Sequence, residues 1–332
     1  MGGARADAGR LTVAVTGPTG TFGVALVPLL EAEDRVERVI GVARREFDPA
    51  ERGWSKLDYR RGDVRDVDAL REAFAGVDVV VHLAFQVLTG DEETARAINV
   101  EGTLNTFRAA AQAGARRFVY ASSVAAYGFH PDNPTGITED WLTRPTGRLL
   151  YAQEKAELEH LLWEVSADQP EVDLFLLRPP IVLGPDAVGA KAIIPALIAP
   201  VFHGVRAVMR RLPAVPVLVP DLPVQFIHQD DVASALLLCV LGAGEPGAYN
   251  IAADDVVSLV DVARAVGLRP VALPGGPVAA AARLVARAPL PARAAWIETL
   301  SYPTIMVTAK AKSGLGWRPR YSAIESLAAT FD

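Results

Sequence analysis

Leu11-Thr12-Val13-Ala14-Val15-Thr16-Gly17-Pro18-Thr19-Gly20-Thr21-Phe22-Gly23 is the stretch on which the fold turns. Leu11 to Thr16 is apolar and β-branched and reads as a strand. The run after Thr21 reads as a helix. Between them stand glycines at 17, 20 and 23. Glycine has no Cβ, so the backbone can turn tightly and approach a ligand closely. A strand, a glycine-rich turn and a helix N-terminus together suit a pyrophosphate, because backbone N–H groups and the helix dipole both favour an anion there. Such a turn without that context would be a tight turn and nothing more.

Further along, residues 36–43, 77–84, 117–122 and 172–177 read as strands, the second of these nearly continuous in apolar residues. Residues 66–75, 94–113 and 150–165 read as helices. Strands apolar on both faces and separated by helices indicate a parallel sheet covered on both sides. Right-handed crossovers then make it doubly wound. After Pro179 the pattern loosens, with prolines at 213, 216, 220 and 223 and again at 270, 274 and 277. The expected class is therefore α/β. A Rossmann-type doubly wound parallel sheet over residues 11–179 is followed by a smaller C-terminal α/β lobe over 180–332. Residues 225–228 and 249–252 also look like strands and are expected to return to the sheet.

The 332 residues suffice for one large domain with an appended lobe. With 51% hydrophobic and 22% charged residues the composition is that of an ordinary folded protein. A net charge of -6 gives no electrostatic reason to expect nucleic acid. The lone Cys239 lies in an apolar run and reads as a buried thiol, since it has no partner for a disulfide or zinc. The His residues at 82, 130, 160, 203 and 228 have no metal-ligand spacing. Residues 1–10 lack an apolar core of signal-peptide length and read as a disordered tail. No apolar stretch reaches bilayer length, so a cytoplasmic protein without a membrane partner is expected. The Ala- and Arg-rich residues 277–295 read as amphipathic packing.

Two places carry chemistry. Tyr151-Ala152-Gln153-Glu154-Lys155 opens the helix after the fifth strand. Residues four apart share a helix face, so the ammonium can lie near the phenol. Only 5 of the 33 basic residues are Lys, which makes a lysine in this pattern notable. Lowering a phenol by about three pKa units takes roughly 4 kcal/mol of differential stabilisation. A helix-face tyrosine beside a solvated lysine is the bland alternative. Ser122-Ser123 ends the fifth strand, where a hydroxyl can hydrogen-bond a reacting carbonyl. Neither serine reads as a nucleophile, because no paired His base accompanies them.

The Gly-x-x-Gly-x-x-Gly spacing resembles that of the short-chain dehydrogenase/reductase superfamily, in its extended branch of sugar-nucleotide epimerases and dehydratases. The resemblance covers nearly the whole chain. Gly62-Asp63-Val64 looks like the adenine-contacting turn, and His82-Leu83-Ala84-Phe85 like the strand end beside the cofactor. Asn99-Val100-Glu101-Gly102-Thr103 matches a helix motif, and Ala121-Ser122-Ser123-Val124-Ala125-Ala126-Tyr127-Gly128 the serine segment. Arg178-Pro179-Pro180-Ile181-Val182-Leu183-Gly184-Pro185 resembles the loop after the sixth strand. Residues 226–233 and 315–319 resemble segments of the C-terminal lobe.

The resemblance implies an NAD(P)-dependent oxidoreductase acting on a small carbonyl compound or secondary alcohol. Tyr151 would be general acid in reduction and general base in oxidation, its pKa lowered by Lys155 and the positive nicotinamide ring. Ser123, with Ser122 as fallback, would bond the carbonyl. Asn99 would order water behind Lys155, unless its amide is simply bonded to backbone. The implied cofactor contacts are Gly17, Thr19, Gly20, Thr21, Phe22, Gly23, Asp63, Val64, Leu83, Ala84, Phe85, Tyr151, Lys155 and Pro179. A sugar-nucleotide epimerase or dehydratase is the alternative, and a non-catalytic dinucleotide sensor the next. A homodimer is left open.

Two departures sharpen these expectations. Ala43 stands where an NAD site usually has an acidic residue, and Arg44 and Arg45 follow. They favour NADP over NAD, because guanidinium groups can hold a 2′-phosphate; otherwise they merely face solvent. In Leu222-Pro223-Val224-Gln225-Phe226 no cation stands where sugar-nucleotide epimerases commonly place an Arg for the substrate pyrophosphate. Arg206, Arg210 and Arg211 are the nearby substitutes, and the apolar residues 193–208 suit a less polar ligand.

Overall fold

The computed structural model describes residues 9–87, 91–145, 147, 149–187, 189–190, 216–285 and 302–331. Residues 1–8, the apolar segment 193–208, Arg206, Arg210, Arg211 and the last part of the Ala- and Arg-rich stretch lie outside the described residues.

The first six strands are β1 (Leu11–Thr16), β2 (Val36–Ala43), β3 (Leu57–Arg61), β4 (Val79–His82), β5 (Arg117–Ala121) and β6 (Asp173–Arg178). Then come β7 (Ile181–Leu183), β8 (Pro216–Asp221), β9 (Pro223–Val224), β10 (Phe226–His228), β11 (Gly247–Asn250), β12 (Val257–Ser258) and β13 (Arg269–Pro274). The central sheet has seven strands in the order β11-β6-β5-β4-β1-β2-β3. The order reverses at β1, which lies between β2 and β4, and such a switch point is where open α/β sheets bind ligands. Every residue of β4 and β5 is buried, as the near-continuous apolar runs require.

Register places the site. Thr16 pairs with Val42 on one side and His82 on the other, and His82 with Tyr120, all in parallel. Gly17, Ala43, Leu83 and Ala121, the next residue along the chain in each case, therefore stand at one level near the sheet's end. The helices are α1 (Thr21–Ala32), α2 (Val67–Ala73), α3 (Glu92–Arg96), α4 (Gly102–Gln112) and α5 (Leu150–Ala167), followed by Gln229–Val240, Leu259–Ala265, Gly275–Val285 and Ala323–Phe331. None among the described residues is long and apolar enough to cross a membrane.

Three features differ from the sequence expectation. The single helix expected over 94–113 is broken: a π turn at Ala97–Glu101 separates α3 from α4. Thr103 there donates to the Asn99 carbonyl at 2.5 Å, and a Cβ on Gly102 would meet Val64 Cγ2 at 2.5 Å, so this helix and the 62–64 turn are in close contact. β3 was hidden because Leu57-Asp58-Tyr59-Arg60-Arg61 is mostly polar, as suits the edge of a sheet. Of the two late segments, β11 lies in the central sheet, while β10 pairs in parallel with β7 in a separate two-stranded sheet. The interruption is Pro179-Pro180, which lacks backbone donors and ends β6 before β7 begins.

Contacts divide the chain into two compact units. The first holds the described residues up to Ala121 together with His160–Leu176 and Ala233–Gly247. The second holds Ser122–Glu159, Leu177–Val232 and Ala248–Asp332, as far as these are described. The chain passes between them several times, so the division is not one break at residue 179.

Candidate active site

In the first unit the glycine turn is fixed by contact. Gly17 has φ of 71°, and a Cβ on it would lie 3.1 Å from the Ala84 nitrogen. A Cβ on Gly23 would meet the Pro18 carbonyl at 2.4 Å, so only glycine lets α1 start against the turn. The turn is closed by Gly17 N–H to Val42 O at 2.9 Å and Gly20 N–H to Gly17 O at 3.1 Å. Gly20 caps α1 without a side chain, and the first turn carries no acidic residue. The positive end of the helix therefore meets no protein carboxylate in its own first turn. Thr19, Thr21 and Phe22 are half-buried around it. These features fit a dinucleotide pyrophosphate.

A buried polar chain holds the end of β4 beside this turn. Thr103 gives its proton to the Asn99 carbonyl, so its oxygen accepts from His82 Nε2 at 2.9 Å. His82 Nδ1 is then the acceptor for Thr16 Oγ1 at 2.8 Å. Thr16 Oγ1 in turn accepts from Leu83 N–H at 3.2 Å and Ala84 N–H at 3.3 Å. Beyond Leu83, Ala84 and the half-buried Phe85, the Asn99 amide clamps residue 86. Its Oδ1 accepts from Gln86 N–H at 2.8 Å, and its Nδ2 donates to Gln86 O at 3.0 Å. Of the two sequence readings of Asn99, the backbone-bonded one describes these contacts.

Asp63 pairs with Arg65 through both oxygens, Nε–Oδ1 at 3.0 Å and Nη2–Oδ2 at 2.7 Å. The Arg65 hydrogen bonds, opposed by burial, hold its carboxyl below the usual range. Val64 is buried next to it. Arg44 and Arg45 are exposed at the end of β2. Arg44 faces the Gln86 carboxamide. A guanidinium only donates, so the amide presents its oxygen, 2.6 Å from Nη2 and 3.3 Å from Nη1. The Arg45 carbonyl accepts from the Tyr59 hydroxyl.

The second unit brings Ser123, Tyr151 and Lys155 together. Ser123 caps a 3₁₀ turn at Val124–Tyr127, its Oγ accepting from Ala125 N–H at 3.2 Å. The Pro179 carbonyl accepts from Val124 N–H at 2.9 Å and ties this turn to the end of β6. Ser123 is hydrogen-bonded to the Tyr151 hydroxyl, and Lys155 Nζ lies 5.9 Å from the Tyr151 ring centre. Burial lowers Lys155 to about 7, against the opposing pull of Glu159 and Glu154. Burial also raises the Tyr151 phenol, against the Ser123 hydrogen bond. The protein's own groups thus raise the phenol, whereas the expected lowering rests on Lys155 together with the positive nicotinamide ring. A half-buried phenolate loses more hydration than Ser123 restores, and a largely desolvated lysine holds its proton weakly.

Beneath this cluster lies a network that sequence reasoning missed. Glu159 and Arg178 are 0% and 4% exposed and bond at 2.5 Å and 2.9 Å. Ser122 Oγ donates to Glu159 Oε1 at 2.5 Å, so Ser122 faces this pair while Ser123 faces Tyr151. Arg178 Nη1 donates to the Tyr127 hydroxyl at 2.7 Å, and that hydroxyl donates to Asn250 Oδ1 at 2.8 Å. Burial pushes the Tyr127 phenol up to about 12 despite Arg178. One signal was available: Glu159 continues the four-residue spacing of Tyr151 and Lys155. Elsewhere in this unit, Gln225 is buried with both ends of its carboxamide on the Met306 backbone, at 3.0 Å and 2.7 Å.

A family model described as the NAD dependent epimerase/dehydratase family matches residues 13–252. Protein y4nG of Sinorhizobium fredii is 29% identical over 342 residues, covering 97% of this chain and 78% of its own. Cinnamoyl-CoA reductase 1 of Petunia hybrida is 33% identical over 186 residues, 52% of this chain and 55% of that protein. Among solved structures, MoeE5 in complex with UDP-glucuronic acid and NAD is 25% identical with a TM-score of 0.67, covering 96% of this chain and 97% of that one.

Proposed function

Because the chain belongs to the NAD dependent epimerase/dehydratase family, and so is an NAD(P)-dependent enzyme, we propose that it transfers hydride at a carbonyl or secondary alcohol of a small, weakly polar substrate. The observation that carries this is the cluster of Ser123, Tyr151 and Lys155. Ser123 bonds the reacting oxygen, and Tyr151 gives it a proton in reduction and takes one in oxidation. Lys155, poised near neutrality by its burial, supplies positive charge beside the phenol when protonated. Gly17, Thr19, Gly20, Thr21, Phe22 and Gly23 would hold the pyrophosphate, and Asp63 and Val64 the adenosine. Leu83, Ala84, Phe85 and Pro179 would contact the same cofactor, a reading that the family likeness supports. The bound nicotinamide supplies or accepts the hydride. Ala43 in place of an acid, with Arg44 and Arg45 after it, favours NADP over NAD.

The substrate argument rests on charge. A diphosphate enclosed without cations costs several kcal/mol, and Gln225 is neutral and spent on Met306. A second reading, a sugar-nucleotide epimerase, draws support from the likeness to MoeE5, which is seen with UDP-glucuronic acid and NAD. The test is a panel of apolar aldehydes, ketones and alcohols followed by cofactor absorbance, with UDP and dTDP as competitors. Net cofactor turnover without nucleotide competition supports the oxidoreductase. Micromolar binding of UDP or dTDP, with no net release of reduced cofactor, overturns it in favour of the epimerase.

A further inference from the structure

Several exposed arginines of the first unit are neutralised. Arg35, Arg38, Arg61, Arg65 and Arg71 each pair with a carboxylate. Arg44 does not, among the described residues. Its guanidinium donates to the Gln86 carboxamide oxygen at 2.6 Å and 3.3 Å. Asp63, the carboxylate that feels the Arg44 charge, is itself bonded through both oxygens to Arg65. A carboxamide and a carboxylate can orient a guanidinium alike, but only the carboxylate cancels its charge. Five N–H donors make up the guanidinium fork, so two bonds to one oxygen leave the others for a second acceptor.

The Gln86 carboxamide can act this way because its backbone is fixed. Asn99, in the π turn, holds both Gln86 N–H and Gln86 O. The Arg44 backbone is fixed as well, its carbonyl accepting from Arg61 Nε at 3.1 Å. We propose that Gln86 is a specificity-determining residue for the cofactor: a neutral partner that orients Arg44 toward the 2′-phosphate without neutralising it, and is itself held in place by Asn99. This rests on the reading of Arg44 as a ligand for that phosphate. A glutamate at the same position would keep the orientation and remove the net charge, turning the site away from NADP.

The test titrates the full chain with NADP, NAD and adenosine 2′,5′-bisphosphate, comparing wild type with Gln86→Glu, Gln86→Leu and Arg44→Ala. Gln86→Glu is expected to weaken NADP and the bisphosphate about tenfold, the size of one charge-assisted contact, with NAD unchanged within about twofold. Gln86→Leu keeps the charge but loses the orientation, so its effect on NADP is smaller and again spares NAD. If the wild type and only Arg44→Ala differ in NADP preference, the cofactor reading stands and the role of Gln86 is overturned. Equal loss of NAD and NADP in the Gln86 variants shows a merely structural role and also overturns it. A wild type that binds NAD as tightly as NADP overturns the cofactor reading, and the inference with it.

Discussion

Among the described residues, the ion pairs of the unit that carries the glycine turn are exposed or half-buried, as in Arg65 with Asp63, Arg35 with Glu33 and Arg71 with Asp68. In the unit that carries Tyr151, the pair of Glu159 and Arg178 is sealed from water and joins residues 19 apart. Exposed pairs contribute about 0–1 kcal/mol, whereas removing one member of a buried pair costs about 3–5 kcal/mol. The first unit therefore presents polar groups to solution, where an anion can reach the start of α1 and the end of β2. The second has surface pairs too, but it also holds Glu159 and Arg178 in a fixed, dry network, and a further buried charge there, on Lys155, is easily given up. Recognition of an anion needs accessible donors, and proton transfer needs a group whose charge state is near balance.

Four experiments break or sharpen this contrast. The largest effect is expected at Tyr151. Tyr151→Phe should lower turnover by about 10²–10⁴-fold, the usual contribution of a general acid or base, with cofactor affinity and unfolding midpoint near wild type. Steady-state kinetics beside a cofactor titration measure it, and a variant that keeps most of its turnover would show that another group moves the proton.

Next is the buried pair. Glu159→Ala leaves Arg178 charged and without its partner, so urea unfolding should show a loss of about 3–5 kcal/mol. A loss under about 1 kcal/mol would place this pair with the surface ones and end the contrast.

The third effect depends on pH. Lys155 titrates at about 7 in the folded protein, below its ordinary 10.5. Between those values the unfolded chain holds a proton that the folded chain has released, so this group makes stability rise with pH across that window. Lys155→Met removes the effect. Its stability gain over wild type, measured without cofactor, should be greatest at pH 7 and below and should fade as the pH approaches 10.5. A gain that stays constant from pH 6 to 10 would rule out a desolvated lysine.

The smallest effect is at the surface. Arg65→Ala should change stability by no more than about 1 kcal/mol, and less still in 1 M salt, where screening acts within about 3 Å. Thermal unfolding at two salt concentrations checks it, and a loss as large as that of Glu159→Ala would make the two units alike.

How much of this could be read beforehand follows from the range of each interaction. The turn from Thr16 to Gly23 was legible because strand, glycines and helix are consecutive, and turn chemistry acts within a few residues. Tyr151 and Lys155 were legible because helix periodicity places residues four apart on one face. The apolar strands β1, β4 and β5 declared themselves by composition. β3 did not, since an edge strand is free to be polar, and the π turn at Asn99 leaves no mark in the apolar spacing.

The remaining features depend on partners far along the chain. Nothing near Arg178 in sequence indicates that it meets Glu159, nor near Tyr127 that it meets Asn250, 123 residues away. Likewise Arg44 and Arg45 look alike in sequence, and only folding sets Gln86 against the first of them. Local pattern thus carried the fold class and brought out the candidate groups, since both arise from backbone geometry over a few residues. The state of those groups, meaning which is charged, which is clamped and which stays open to a ligand, came from burial and from contacts between distant segments. Desolvation and hydrogen bonding depend on distance in space, and separation along the chain does not report it.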